Sequence, residues 1–109
     1  MTKILPEDPN DAIRKMIHLT QECVSLLESE DEKITRNDAV EFTVNEQNKQ
    51  KAFDYYDQAA KELSVRIEGM QGKVSPALIT DLERLQLRLK QQAAANNDRL
   101  GKIEGVKSK

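Results

Sequence analysis

Residues 11–34 read DAIRKMIHLTQECVSLLESEDEKI, and the spacing of their apolar side chains decides the fold. Ile13, Met16, Thr20, Cys23 and Leu27 recur at alternating three- and four-residue steps, and Glu30 and Ile34 continue the same phase. Ile17, Val24 and Leu26 widen the stripe. Such a stripe runs along one side of an α-helix and is buried only where other helices cover its length. Just upstream, PEDPND supplies a start: Pro9 ends the leader, Asn10 can cap, and Asp11 favours the positive end of the helix dipole. The spacing predicts a first helix over about residues 10–33.

Two breaks follow. In KITRNDAVEF, Thr35, Asn37 and Asp38 are all competent N-caps, and so short a break makes the neighbouring helices antiparallel. A second helix is expected over about 38–69, with Val40, Val44, Phe53, Tyr56, Ala60, Leu63, Ile67 and Met70 on or near one side. Its middle, VNEQNKQKA, is weakly apolar, so a bend or a solvent-bathed stretch is expected near Gln47 to Lys51. In GMQGKVSPA, Gly69 and Gly72 can end a helix in the left-handed conformation. Ser75 then offers a cap with Pro76 at the first helical position, opening a third helix over about 76–104.

One domain fits 109 residues. A third of the chain is charged, aromatics are 4% and Trp is absent, too few large side chains for a thick core. The fold class expected is all-α, an elongated antiparallel three-helix bundle or hairpin of long helices, each spanning ~35–45 Å. The net charge of −2 is uneven: residues 75–109 carry +3 and the rest −5, which favours packing of the last helix on the first two. A nucleic-acid surface needs a denser basic patch than this.

Catalytic chemistry is hard to assemble from these residues. His18 is the only histidine and has no second histidine to form a ligand pair. The carboxylates of ESEDE at 28–32 point in successive directions around a helix, so they read as a solvated helix end. No phosphate-cradling glycine loop, nucleophile elbow or CxxC is present. A non-enzymatic protein without metal or cofactor is expected. Cys23 is the only cysteine, which excludes an intrachain disulfide, and its place on the stripe makes it a small buried thiol. Tyr56 fits the apolar side of its helix, and Tyr55 is expected outside it. No stretch approaches ~20 apolar residues, and MTKILPEDPND lacks the apolar run of a signal peptide, so a cytoplasmic protein is expected.

The third helix changes character halfway. In ALITDLERLQLRLKQQAAANNDRL, residues 77–100, Leu78, Leu82, Leu85 and Leu89 are followed at the same phase by Gln92, Asn96 and Arg99. On the neighbouring phase Ala93 continues the apolar side, Asn97 interrupts it, and Leu100 and Ile103 restore it. Three readings stand: small residues that allow a close helix approach, a solvated end, or a docking face with a shallow alanine groove, amide donors and leucine anchors.

LTQECVSLLESEDEKITRNDAVEF and LERLQLRLKQQAAANNDRL resemble the corresponding helices of flagellar export chaperones of the FlgN type, a likeness that spans about residues 13–103. The resemblance implies a cytoplasmic helical chaperone. It would hold the C-terminal helical regions of hook–filament junction (hook-associated) proteins unassembled and help deliver them to the type III export apparatus. In that family the client binds the C-terminal helix, which carried over by position implies Leu89, Gln92, Ala93, Asn96, Asn97, Leu100 and Ile103. The alternative expectation is a coiled-coil structural protein that self-assembles into a homo-oligomer.

Overall fold

Asp8, rather than Asn10, begins the first helix. We describe the chain from a computed structural model that covers the backbone of residues 4–36 and 39–108 and the side chains of residues 4–33 and 43–98. Asp8 Oδ2 accepts from the Asp11 amide at 3.0 Å and the Asp8 carbonyl from the Ala12 amide at 2.8 Å, so Asp8 is the cap. Asn10 is committed elsewhere: its Oδ1 accepts from the Ser75 amide at 2.8 Å and ties the starts of two helices together. Three helices result, α1 (Pro9–Arg36), α2 (Ala39–Met70) and α3 (Pro76–Ser108). Proline opens both α1 and α3, where its missing amide proton costs nothing.

α1 is the middle member. It packs against both other helices, whereas among the described residues no Cα of α2 comes within 8 Å of one in α3. Side-chain pairings give the directions. Glu30 meets Lys49 and Cys23 meets Ala52, so α2 runs back along α1. Asn10 meets Ser75 and Glu28 meets Arg88, so α3 runs with it. The principal extents are 53 × 28 × 20 Å.

The apolar interior falls into two clusters. The lower one joins Leu5, Ala12, Ile13, Met16, Leu19, Ala59, Leu63, Met70 and Leu82. The upper one is smaller, formed by Cys23, Val24, Leu27 and Leu89, with Tyr56 packed against both. The leader closes the lower end: Leu5 is buried, and the Glu62 carboxylate accepts from the Ile4 and Leu5 amides at 2.7 and 3.1 Å.

Several expectations change. α2 is continuous through its polar middle, where Gln47, Asn48, Gln50 and Lys51 are exposed, so of the two expectations for this stretch the solvent-bathed one is met. Val44 and Ile67, expected on its apolar side, are 56% and 42% exposed. Since only α1 packs on α2 closely, the buried arc is narrow and follows Asn45, Ala59, Leu63 and Met70. Gly69 stays helical because α2 runs on to Met70, whose buried side chain anchors the last turn. Only Gly72 turns left-handed, at φ 76°, a conformation that a Cβ would strain.

Cys23 is buried at the junction of the helices, its Sγ 3.8 Å from the Ala52 carbonyl. Burial, then the Glu22 and Asp57 carboxylates, push its thiol up to about 11. A rise of that size cuts the thiolate fraction at pH 8 by about 100-fold. Iodoacetamide at pH 8 will therefore alkylate the native protein about 100-fold more slowly than the urea-unfolded chain. Equal rates would show that this junction opens freely.

Candidate functional site

Three polar interruptions that lie far apart in the sequence converge at one level of the bundle. Glu30 interrupts the α1 stripe, Lys49 comes from the polar middle of α2, and Asn96 sits where the leucine phase of α3 stops. Glu30 and Asn96 are each only 1% exposed. The carboxylates of ESEDE are thus not a uniformly solvated helix end. Glu30 faces the α1 side that both other helices cover.

The hydrogen bonds at this level are dense. Asn96 Nδ2 donates to the Leu27 carbonyl at 2.7 Å and to Glu30 Oε1 at 2.9 Å. Gln92 Nε2 donates to Asn96 Oδ1 at 2.9 Å. Lys49 Nζ donates to Glu30 Oε2 and lies 2.8 Å from Glu46 Oε1. From α2, Asn45 Nδ2 donates to the Leu26 carbonyl at 3.3 Å. Two adjacent α1 carbonyls therefore take an extra donor, one from each neighbouring helix.

Electrostatics follow from the burial. Desolvation, reinforced by the hydrogen bond to Glu46, pushes the Glu30 carboxyl above the usual range, and the bonds from Lys49 and Asn96 oppose that rise. The same bond to Glu30 lowers Glu46. Burial pulls the Lys49 ammonium down, but its bonds to Glu30 and Glu46 outweigh this and hold it above its ordinary value. Every one of these groups has a hydrogen-bond partner. The bonds tie α1 to both α2 and α3 at this level.

Beside the cluster opens a cleft of about 260 Å³, floored by Leu27 and Glu30 of α1. Lys49, Gln50 and Phe53 form its α2 wall, and Ala93, Asn96 and Asn97 its α3 wall. That volume lies below the ~300 Å³ at which small-molecule pockets begin, and it suits one or two side chains from another helix. Among the described residues no group of three or more His, Cys, Asp or Glu is placed to hold a metal, and no helix is long and apolar enough to cross a membrane. His18 lies on the outer face of α1, 3.1 Å from Glu22.

The seven residues expected to dock a client separate into three groups. Leu89 and Asn96 face inward: Leu89 packs with Cys23, Val24 and Leu27, and Asn96 bonds to α1, so neither presents a free surface. Gln92 and Ala93 are half-buried and Asn97 is exposed, and of these Ala93 and Asn97 border the cleft. Leu100 and Ile103 lie on α3, but their side chains fall outside the described residues. The α2 wall was missed altogether. Its signal was the thinned stripe near Gln47 to Lys51, a gap that α3 matches with a gap of its own. Compared with known proteins, the chain matches no family model, no curated protein and no solved structure.

Proposed function

We propose that this chain is a cytoplasmic flagellar type III export chaperone of the FlgN type. It holds the C-terminal helical region of a hook–filament junction protein, prevents its premature assembly, and aids delivery to the export apparatus. The client lies along the distal α3 and the α2–α3 cleft. One observation carries the reading: among the described residues no Cα of α2 comes within 8 Å of one in α3, although the Gln86 amide reaches the Tyr56 hydroxyl at 3.4 Å, and the cleft between the two helices is where a client helix would lie.

Length adds support. α3 continues twelve residues beyond Asn96, whereas α1 ends six residues beyond Glu30, the partner of Asn96. The difference leaves ~9 Å of α3 past the end of its neighbour. Leu100 falls on the approach to that overhang and Ile103 at its start. Apolar burial at ~25 cal/mol per Å² favours binding, and ordering of the client helix offsets much of it, so the complex is releasable.

Removing everything after Gln91 would test this poorly, because it strips Glu30 of Asn96 and mixes stability with binding. Ala93→Glu is cleaner, since it places a carboxylate at the cleft wall beside Phe53 and Leu27. Titration with a labelled peptide from the C-terminal region of a hook–filament junction protein should give one-to-one binding. Ala93→Glu should weaken it at least tenfold with unchanged helical circular dichroism, and Leu100→Glu with Ile103→Glu should weaken it further. Equal affinity in all three proteins would refute the docking face. A second reading, self-assembly, draws on Val44, Val65 and Leu87, which are exposed. A stable homo-oligomer by light scattering that ignores Ala93→Glu would favour it.

A further inference from the structure

We propose that the Glu30–Lys49–Asn96 cluster is a polar latch, which docks the distal half of α3 on α1 in one register and lets it release as a unit near Leu89. Its role in admitting a client rests on the function proposed above, but the latch itself is a property of the free chain.

The two halves of α3 are held by different physics. Below Leu89, Leu82 is buried in the lower cluster, with Leu78 and Ile79 packed against it. Water offers these side chains nothing in exchange for their neighbours, so undocking them is costly. Between Leu89 and Asp98, the inward positions among the described residues are Gln92, Ala93 and Asn96, and none carries a large apolar side chain. What holds this stretch, among the described residues, is the set of hydrogen bonds from Asn96 to Leu27 and Glu30, braced by Gln92. On opening, water replaces each of those bonds, so their net contribution is small although their geometry is strict.

Strict geometry and low net strength are what a latch requires. A one-turn slip of α3 would withdraw Asn96 from Glu30, leaving a buried carboxylate short of a donor, so the docked state has a single register. The cleft beside Asn96 removes packing partners from the same stretch. The Lys49 bond keeps Glu30 paired from the α2 side when Asn96 leaves, so release of α3 does not strand the charge. Opening uncovers Leu27 on the floor of the cleft and the face of Phe53 that looks toward Ala93. An incoming amphipathic helix can then occupy the position that α3 gives up.

Hydrogen exchange on the full-length chain, read by mass spectrometry, tests the latch without any partner. In the wild type, amides from Lys90 to Asp98 should exchange at least tenfold faster than those from Leu82 to Leu89. The triple change Glu30→Leu, Lys49→Met, Asn96→Leu, which leaves no member unpaired, should slow the distal set at least tenfold and leave the proximal set unchanged. Should the triple variant fail to fold, Asn96→Ala serves instead, and it should accelerate the distal set alone. Equal protection of both halves in the wild type overturns the latch, as does a variant in which both halves shift together. The client peptide then separates the two ideas. Distal opening without peptide binding keeps the latch and sinks the chaperone reading, whereas peptide binding at equal protection does the reverse.

Discussion

Lys49→Met lowers the stability of the protein by about 2–3 kcal/mol at pH 7, and much of that loss disappears on acidification. Removing one partner of a buried ion pair typically costs 3–5 kcal/mol because the other charge is left unpaired. The lower figure applies because the Lys49 side chain is 22% exposed and Asn96 still donates to Glu30. Glu30 already sits above its usual range, and loss of Lys49 removes two of the influences that restrain it. A carboxyl raised in the folded state stabilises most below its unfolded value and loses that contribution as pH rises through the raised one. The variant should therefore recover as pH falls from 7 toward the unfolded value of 4.5. Glu46 acts in the opposite sense, since its value is lowered and its contribution is lost only at still lower pH. Urea titrations at pH 7 and pH 5 read the difference. A deficit that is the same at both would mean that Glu30 is not left as a buried charge.

The triple change Glu30→Leu, Lys49→Met, Asn96→Leu should behave differently. It replaces the whole cluster with apolar groups, and such replacements are often neutral or stabilising. Removing one member is harmful and removing all three is not, because the penalty lies in the unpaired partner.

Met16→Ala is the second large effect, a loss of about 2–5 kcal/mol that is the same at pH 5 and pH 7. Met16 is fully buried in the lower cluster among Ile13, Leu19 and Ala59, so its removal leaves a cavity. For a domain of this size the change corresponds to a fall of about 10–20 °C in Tm. Leu87→Ala, by contrast, should change Tm by no more than a few degrees, since Leu87 is 56% exposed. A thermal scan of the two variants tests how the clusters divide the molecule, and equal losses would contradict a core centred on α1.

The bundle was legible because helical periodicity needs only local information. The three-four stepping from Ile13 to Leu27 and the Ser75–Pro76 start both map onto helices in the structure. The cap of α1 was misplaced by two residues, since PEDPND holds several good acceptors and only the docking of Ser75 on Asn10 leaves Asp8 to cap. Glu30 and Asn96 were visible as polar residues at apolar phases. Nothing local, however, says that Glu30 has a donor waiting 66 positions away.

The candidate site shows the same division. The sequence marked the distal half of α3 as unusual, from Gln92 to Asn97, and offered three explanations for it. Asn96 turned out to lock onto α1, Ala93 and Asn97 to edge a cleft, and Phe53 of α2 to form the opposite wall. The order of residues alone determined that the chain forms three long helices, each with one buried stripe, because side-chain direction along a helix follows from chain position. Only the tertiary structure decided that α1 is the middle helix and that the gaps in three stripes meet. Which helix covers which stripe depends on pairings across tens of residues, and periodicity within a single helix cannot encode them.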